Sequence, residues 1–244
     1  MARKHSKTSL RRKNVQSRVP AKFIIYVEGK NTEPSYLNLL RTNSKVIPHP
    51  VEGKGIGSCE QFVETSNKAY NNLSPSERAK YSQKWLMFDY DGHEDFANAI
   101  KLAWKYGFRV AFSSMCIEYW FMLHFVDHDG APIPLQGNSH SQAQINRINR
   151  SIKAHNRATG QNVQLYDVDS KKVGEDFFEL MMAIDPVTHN RRIIDACNRA
   201  KSIHKRKKQD GAEFSESVSN MYELMIELGV VVETNNELSL RNEH

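Results

Sequence analysis

An apolar run that ends abruptly in two acidic residues constrains this chain more than any other feature. The run Trp85–Phe88 is followed by Asp89 and Asp91. Such a run is typical of a buried strand in a parallel sheet. Side chains two residues apart on a strand point the same way, so both carboxylates can face one point at the strand's carboxyl end. Ligands bind at that edge in open α/β sheets.

Two carboxylates held this close repel each other unless a cation lies between them. The pair Asp89 and Asp91 therefore favours a hard, oxygen-binding metal ion such as Mg²⁺. The alternative is a polar connection from strand to helix, with Asp91 and Gly92 as turn residues. The pair alone leaves both interpretations open.

Predicted strands and helices alternate on both sides of this run. Each parallel strand pair needs a crossover, so the alternation predicts an α/β fold with a mostly parallel central sheet flanked by helices. In order, we expect a strand at Lys22–Val27, a helix from about 32, a weak edge strand at 45–51, a helix at 58–73, the central strand at 83–89, a helix at 96–104 with Trp104 in its apolar stripe, and a strand at 108–112.

The chain becomes more polar after residue 128. We expect mainly helices there, at 141–159, 177–182 and 191–200, then a final helix from Val218 and a short strand at 230–232. The predicted division is a disordered basic arm at 1–21, an α/β domain at 22–128, and a mainly helical basic extension at 129–244 packed on it.

The positive charge is concentrated in two places. Residues 1–22 hold eight bases and no acid, so the other residues have 26 bases against 28 acids, a net charge of −2. Residues 191–208 hold eight bases and one acid. Such clusters bind nucleic acid electrostatically. A solvated tail or an organelle-targeting peptide would have a composition similar to that of the arm.

The cysteines and the apolar runs indicate the compartment. Cys59, Cys116 and Cys197 are widely spaced, which suggests neither a disulfide framework nor a zinc site and fits a reducing environment. No apolar run has the length of a membrane span, and the N-terminus lacks the apolar region of a secretory signal. We therefore expect a cytoplasmic protein with no membrane partner.

One acid and one histidine interrupt the apolar segment 115–125, which is typical of a buried helix. An ionised Glu118 in such surroundings is costly unless it is paired or bound to metal. Alternatively, its head group reaches solvent from the first turn. His124 is predicted to be a hydrogen-bonded core histidine rather than a ligand.

Three segments together resemble a known family. They are Val27–Pro34 (VEGKNTEP), Phe88–His93 (FDYDGH) and Cys116–Phe125 (CIEYWFMLHF). Their order and spacing resemble a Toprim catalytic domain, and more specifically the RloB-like family of prokaryotic defence-associated proteins. The resemblance covers roughly residues 22–126, whereas the C-terminal half is similar only in general character.

The resemblance implies roles for particular acids. Glu28 would be the lone acid of the first motif, and Asp89 and Asp91 the metal-binding pair. Glu118, with Trp120 in an E-x-W segment, would be a fourth acid. The implied activity is Mg²⁺- or Mn²⁺-dependent cleavage of phosphodiester bonds in DNA or RNA, in phage defence and alongside an ATPase partner; the oligomeric state is left open.

Two further residues near these motifs bear on the chemistry. Glu28 would orient or deprotonate the attacking water, and Lys30 would contact the scissile phosphate, although a solvated lysine is the more common state. Tyr90 departs from the family's pattern, because relatives often carry arginine or another polar residue there. A cationic role at that position is therefore not expected in this chain.

Two other functions remain open. The chain could be a non-catalytic subunit that binds nucleic acid or docks on an ATPase, with structural acids. It could also be a haloacid-dehalogenase-like phosphatase, with Asp89 as nucleophile and Ser113 or Ser114 following the next strand. In that class of phosphatase the nucleophile motif normally lies at the start of the fold, whereas here a strand and two helices precede it. The phosphatase interpretation also gives Glu28 no role.

Overall fold

The computed structural model describes residues 22–43, 47–52, 57–89, 94–135, 139, 141–167, 169–170 and 172–240. The predicted basic arm at 1–21 lies outside the described residues. Asp91 and Tyr90 lie outside them as well.

The described part of the chain contains a sheet of four parallel strands, and this sheet forms its centre. The strands are β1 (Lys22–Val27), β2 (Ile47–Glu52), β3 (Tyr81–Asp89) and β4 (Arg109–Ser113), in the order β2-β1-β3-β4. Apolar residues of β1, β3 and β4 are buried. The predicted parallel, Toprim-like α/β class agrees with this architecture.

The outer position of β2 follows from its prolines. Pro48 and Pro50 stand opposite Phe23 and Ile25 of β1. Proline has no backbone N–H to donate, so it is confined to strands whose other side needs no partner. The prediction of an edge strand here is confirmed.

Helices connect the strands. They are α1 (Thr32–Asn43), α2 (Cys59–Asn72), the short α3 (Pro75–Arg78), α4 (Phe96–Lys105) and α5 (Ile117–Met122). Local chemistry sets several helix ends. At the start of α2 the Ser58 hydroxyl accepts a hydrogen bond from the Gln61 amide at 3.2 Å, and at the start of α3 Ser74 and Glu77 form a capping box. Gly107, with φ of +74°, follows the end of α4. The prediction that Trp104 belongs to the apolar stripe of α4 is wrong, because this residue is 51% exposed.

The C-terminal part is mainly helical, as predicted. It comprises α6 (Gln142–Thr159), α7 (Glu175–Met182), α8 (Arg192–Gln209), α9 (Met221–Glu227), and a hairpin of β5 (Val231–Thr234) and β6 (Glu237–Leu240). The sequence did not predict β6. Buried residues before and after residue 128 belong to one hydrophobic cluster. The division of the chain at that residue stays a prediction.

Residues 218–220 lie beside β4 instead of opening the last helix. The Ser114 amide donates to the Val218 carbonyl at 2.7 Å, and Asn220 Oδ1 accepts the Phe112 amide at 2.7 Å. Asn220 Nδ2 donates to the Val110 carbonyl at 2.8 Å. This pairing covers the open side of β4 and moves the start of α9 to Met221.

Candidate functional site

Glu28 and Asp89 stand at the carboxyl ends of the two central strands. The pairing of β1 with β3 ends at Val27 and Met87, and the Glu28 amide then donates to the Met87 carbonyl at 3.2 Å. Asp89 is the last residue of β3 and lies opposite Ser113 of β4. The parallel sheet thus delivers both acids to the edge where such sheets bind ligands.

Asp89 joins this edge to the start of α5. Its Oδ2 accepts the backbone amide of Ile117 at 3.0 Å. The thiol of Cys59, the first residue of α2, donates to the Asp89 carbonyl at 3.7 Å. The Asp89 carboxylate is therefore oriented by the element that carries Glu118.

Glu118 is buried at this edge, with 2% of its surface exposed. Its Oε1 accepts the hydroxyl of Tyr166 at 3.0 Å. The alternative in which its head group reaches solvent is therefore wrong. A buried carboxylate needs such a partner, because desolvation without one is costly.

The thiol of Cys116 lies close to both carboxylates. Burial raises the pKa of Cys116 well above its usual value, and the negative charges of Glu118 and then Asp89 raise it further. The thiol therefore stays protonated at neutral pH and is not a nucleophile. Cys59, Cys116 and Cys197 are all free and buried.

A buried acid on α1 also belongs to this edge, although no role was predicted for it. Glu33 is 6% exposed, and its carboxylate covers Gly29 in the loop after β1. It lies within the matching segment 27–34, and an acid at the second position of a helix after a buried strand is the signal that could have identified it.

Tyr166 is the second site residue that the sequence did not identify. Burial and the charge of Glu118 raise the pKa of its phenol, a hydrogen bond from Thr32 opposes this shift, and Glu33 adds to it. Its hydroxyl therefore joins Glu118 of α5 to Thr32 of α1. Tyr166 is 48 residues from Glu118 in a polar stretch, so no local pattern points to it.

The acids at this edge of the sheet have the donor chemistry of a magnesium site. Asp89 and Glu118 offer carboxylate oxygens, which Mg²⁺ and Mn²⁺ prefer. Among residues that the structure describes, no group of three or more His, Cys, Asp or Glu side chains is arranged to hold a metal ion. The predicted third acid, Asp91, is outside that set. Lys30 is exposed on the loop after β1.

Two serines of the phosphatase alternative are engaged elsewhere. Ser113 Oγ is 2.9 Å from Ser219 Oγ. Ser114 Oγ lies 2.7 Å from the Ser215 carbonyl and 2.9 Å from the Val218 carbonyl. Both side chains are buried against the C-terminal segment, where they hold the pairing beside β4 rather than face a ligand.

His124 is the hydrogen-bonded core histidine that the sequence predicted. Its ring is 1% exposed, and Nδ1 lies 3.0 Å from the Trp120 carbonyl. Burial lowers the pKa of His124 to about 3, and the charges of Arg199 and Arg192 lower it as well. The imidazole is therefore neutral at physiological pH.

Some side chains of the basic cluster at 191–208 form ion pairs or hydrogen bonds within the protein, and others are exposed to solvent. Arg192 is buried and pairs with Asp185 at 3.2 Å, and Arg199 donates to the Leu123 carbonyl at 2.7 Å. Four other members of the cluster also form hydrogen bonds or ion pairs within the protein: Arg191, Lys201, Arg206 and Lys208. Lys205 is exposed at the outer end of α8.

Comparison with known protein families finds a match over most of the chain. A family model described as RloB-like protein matches residues 23–228. No curated protein and no solved structure matches the chain. In the described ranges, every helix is too short or too polar to traverse a bilayer.

Proposed function

The chain belongs to the RloB-like protein family, and from that premise we propose that it is a metal-dependent nuclease cleaving phosphodiester bonds in DNA or RNA. One observation carries the proposal: Asp89 ends β3, Glu28 follows β1 and Glu118 follows β4, and the three acids come to the same edge of a parallel sheet. A role in prokaryotic anti-phage defence, a cytoplasmic location and an ATPase partner are parts of the same proposal.

The proposed mechanism assigns each acid a task. Asp89, Asp91 and Glu28 would hold Mg²⁺ or Mn²⁺, with Glu118 as an additional acid beside them. The bound ion would neutralise charge on the phosphoryl oxygens and lower the pKa of the attacking water. Glu28 would also orient or deprotonate that water, and Lys30 would contact the phosphate.

A non-catalytic subunit is the second candidate, and particular contacts favour it. Asp89 binds a backbone amide, and Glu118 binds a tyrosine hydroxyl. Both bonds would also suit acids with purely structural roles. The phosphatase alternative is weaker because Ser113 and Ser114 are held by the C-terminal segment.

The test is cleavage by the purified full-length chain. End-labelled single-stranded DNA, duplex DNA and RNA are each incubated with Mg²⁺, Mn²⁺ or EDTA, and the products are separated on denaturing gels. We expect cleavage of at least one substrate that EDTA abolishes and that Asp89→Asn lacks. Nucleic-acid binding without cleavage in either metal would instead support the non-catalytic subunit.

A further inference from the structure

A segment of the C-terminal half reaches back to the acids. We call residues 160–167 the strap. Gly160, with φ of +72°, ends α6 and turns the chain into the strap. Asn156 Nδ2 donates to the Val163 carbonyl at 2.8 Å, and its Oδ1 accepts the Val163 amide at 3.0 Å.

A second asparagine of α6 holds the strap in the same way at Tyr166. Asn149 Nδ2 donates to the Tyr166 carbonyl at 3.0 Å, and its Oδ1 accepts the Tyr166 amide at 2.8 Å. Each asparagine satisfies both backbone groups of one strap residue, as a neighbouring strand would. The backbone of Tyr166 is therefore fixed on α6.

The side chain of Tyr166 is fixed as well. It is 3% exposed, and its ring contacts Phe121 and Phe177 at centroid distances of 6.0 and 5.4 Å. Its hydroxyl donates to Glu118 Oε1 and is hydrogen-bonded to Thr32 of α1. Because both the backbone and the ring are fixed, the hydroxyl oxygen can take only a narrow range of positions.

We propose that Tyr166 is a positioning residue of the site, whose hydroxyl holds the carboxylate of Glu118 in place beside Asp89 and the first turn of α1. This inference rests on the proposed nuclease function. It makes the strap part of the catalytic machinery, so that the α/β part alone would hold an incompletely ordered site. Hydrogen bonds from a hydroxyl to a carboxylate are charge-assisted and about twice as strong as neutral ones.

The test removes the hydroxyl alone, in Tyr166→Phe. Loss of a group that orients a metal-site residue typically costs about 10–100-fold in metal affinity or activity. We expect kcat to fall by about that factor, with little change in KM for nucleic acid, and the Mn²⁺ dissociation constant, measured by electron paramagnetic resonance, to rise.

The matched control is Tyr119→Phe. Tyr119 is the neighbour of Glu118 and is equally buried, but its hydroxyl contacts His128 Nδ1 at 3.1 Å and the Ser217 carbonyl at 2.9 Å, not an acid. We expect it to keep wild-type kcat and Mn²⁺ affinity, although both variants lose a buried hydroxyl. Thermal unfolding of each variant reports whether it folds.

A double-mutant cycle on Mn²⁺ affinity separates positioning from packing. If Tyr166 acts through Glu118, then Tyr166→Phe should have no further effect in a Glu118→Gln background. Independent losses would overturn the inference, and so would wild-type kcat and Mn²⁺ affinity in Tyr166→Phe. Should that variant fail to fold, Thr32→Val removes the second partner of the hydroxyl, and a loss of Mn²⁺ affinity is again expected.

The same experiment distinguishes the two proposals. A wild-type protein that neither binds Mn²⁺ nor cleaves nucleic acid would overturn the proposed function and this inference with it. A wild-type nuclease whose Tyr166→Phe and Tyr119→Phe variants behave alike would overturn the role of Tyr166 and leave the proposed function standing.

Discussion

The carboxylate of Glu33 lies directly over Gly29, so closely that a Cβ on the glycine would stand 1.9 Å from Oε2. Gly29 follows Glu28 in the loop after β1, and Glu33 is in the first turn of α1. The contact packs that loop against the helix at the acidic edge of the sheet. An added Cβ would therefore force the Glu33 carboxylate to move out of the space that it occupies.

Gly29→Ala should therefore displace the buried carboxylate of Glu33. Overpacking of this kind typically costs about 1–3 kcal/mol of unfolding free energy. Urea unfolding measures the loss, and the proposed nuclease activity should fall with it because the loop also carries Glu28.

Two further variants make this result specific. Gly57→Ala is the control, because the nearest atom to a Cβ there is Gln61 Oε1 at 3.9 Å, and its stability should stay near that of the wild type. Adding Glu33→Ala to Gly29→Ala removes the clash, so the double variant should lose less than the sum of the two single losses. If the two single losses of stability simply add in the double variant, the contact with Glu33 is not the cause of the loss in Gly29→Ala.

Trp120 and Trp104 should differ sharply in their contributions to stability. Trp120 is fully buried, and its indole N–H donates to the Tyr36 hydroxyl at 3.0 Å. Trp120→Ala should cost about 3–5 kcal/mol of unfolding free energy, as large-to-small core substitutions do. Trp104→Ala, at a half-exposed position, should cost much less in the same urea titration. Equal losses would show that burial does not decide the effect.

The position of Trp104 shows where periodicity stops being informative. At 100° per residue, it lies about 80° around α4 from Phe96, at the margin of the apolar stripe. The central residues of that stripe, Phe96, Ala99, Ile100 and Ala103, are buried as predicted. Which way a marginal side chain turns depends on its neighbours in the fold, which the helical period does not encode.

The same limit applies to the site. The positions of Glu28 and Asp89 follow from the sequence, because the carboxyl ends of parallel strands meet at one edge. The contact of Tyr166 with Glu118 depends on how α6 and the strap pack against α5, and their residues lie far apart in the chain. Likewise, the covering of β4 by Asn220 arises from tertiary hydrogen bonds rather than from any local pattern.

His124 should make the protein less stable in acid. Burial lowers its pKa to about 3, whereas a histidine in the unfolded chain titrates near 6.5. Between these values the unfolded state binds a proton that the folded state does not, so stability falls as pH falls through this window. The slope for one proton is at most about 1.4 kcal/mol per pH unit, and no such contribution exists above pH 6.5.

His124→Gln should flatten that slope, even if the variant is less stable at pH 8. Urea unfolding at intervals between pH 8 and pH 4 measures the slope. Phe62→Leu, a core substitution at a buried residue that contacts Phe88, should lower stability but keep the wild-type slope. If His124→Gln keeps the full wild-type slope, other groups cause the acid sensitivity.

The basic surface predicts how nucleic-acid binding depends on salt. Each phosphate contact adds about −0.9 to the slope of log K against log salt concentration for duplex DNA. Lys205→Gln should reduce the slope's magnitude by about that amount, because its exposed charge is available to a phosphate. Lys208→Gln should reduce the slope's magnitude less, because Lys208 Nζ forms an ion pair with Glu213 Oε1 at 2.9 Å.

Deleting residues 1–20 tests the N-terminal cluster separately. The deletion removes seven of the eight bases found in residues 1–22 and should weaken binding and flatten the salt slope, with the unfolding free energy unchanged. Fluorescence anisotropy with a labelled oligonucleotide at several salt concentrations measures both effects. An unchanged slope would mean that the N-terminal bases serve another purpose.

The acids themselves provide the most direct test of the proposed chemistry. Glu28→Gln, Asp89→Asn and Asp91→Asn should each fold and each abolish Mg²⁺- or Mn²⁺-dependent cleavage, because a neutral amide weakens the hold on a doubly charged ion. The fold should survive because the amide is similar in size, and an Asn side-chain oxygen at residue 89 can still accept the Ile117 amide. Asp210→Asn, at the exposed end of α8, should cleave normally.

Combining two of these substitutions distinguishes a shared site from separate contributions. Residues that act as a unit are strongly non-additive, so the variant with both Asp89→Asn and Asp91→Asn should be little worse than either alone. Glu118→Gln should also fold and lose activity, while normal cleavage would give Glu118 a purely structural role. If Glu28→Gln keeps full turnover, Asp89→Asn is inactive and a phosphomonoester proves to be the substrate, the phosphatase interpretation is correct and the nuclease proposal is wrong.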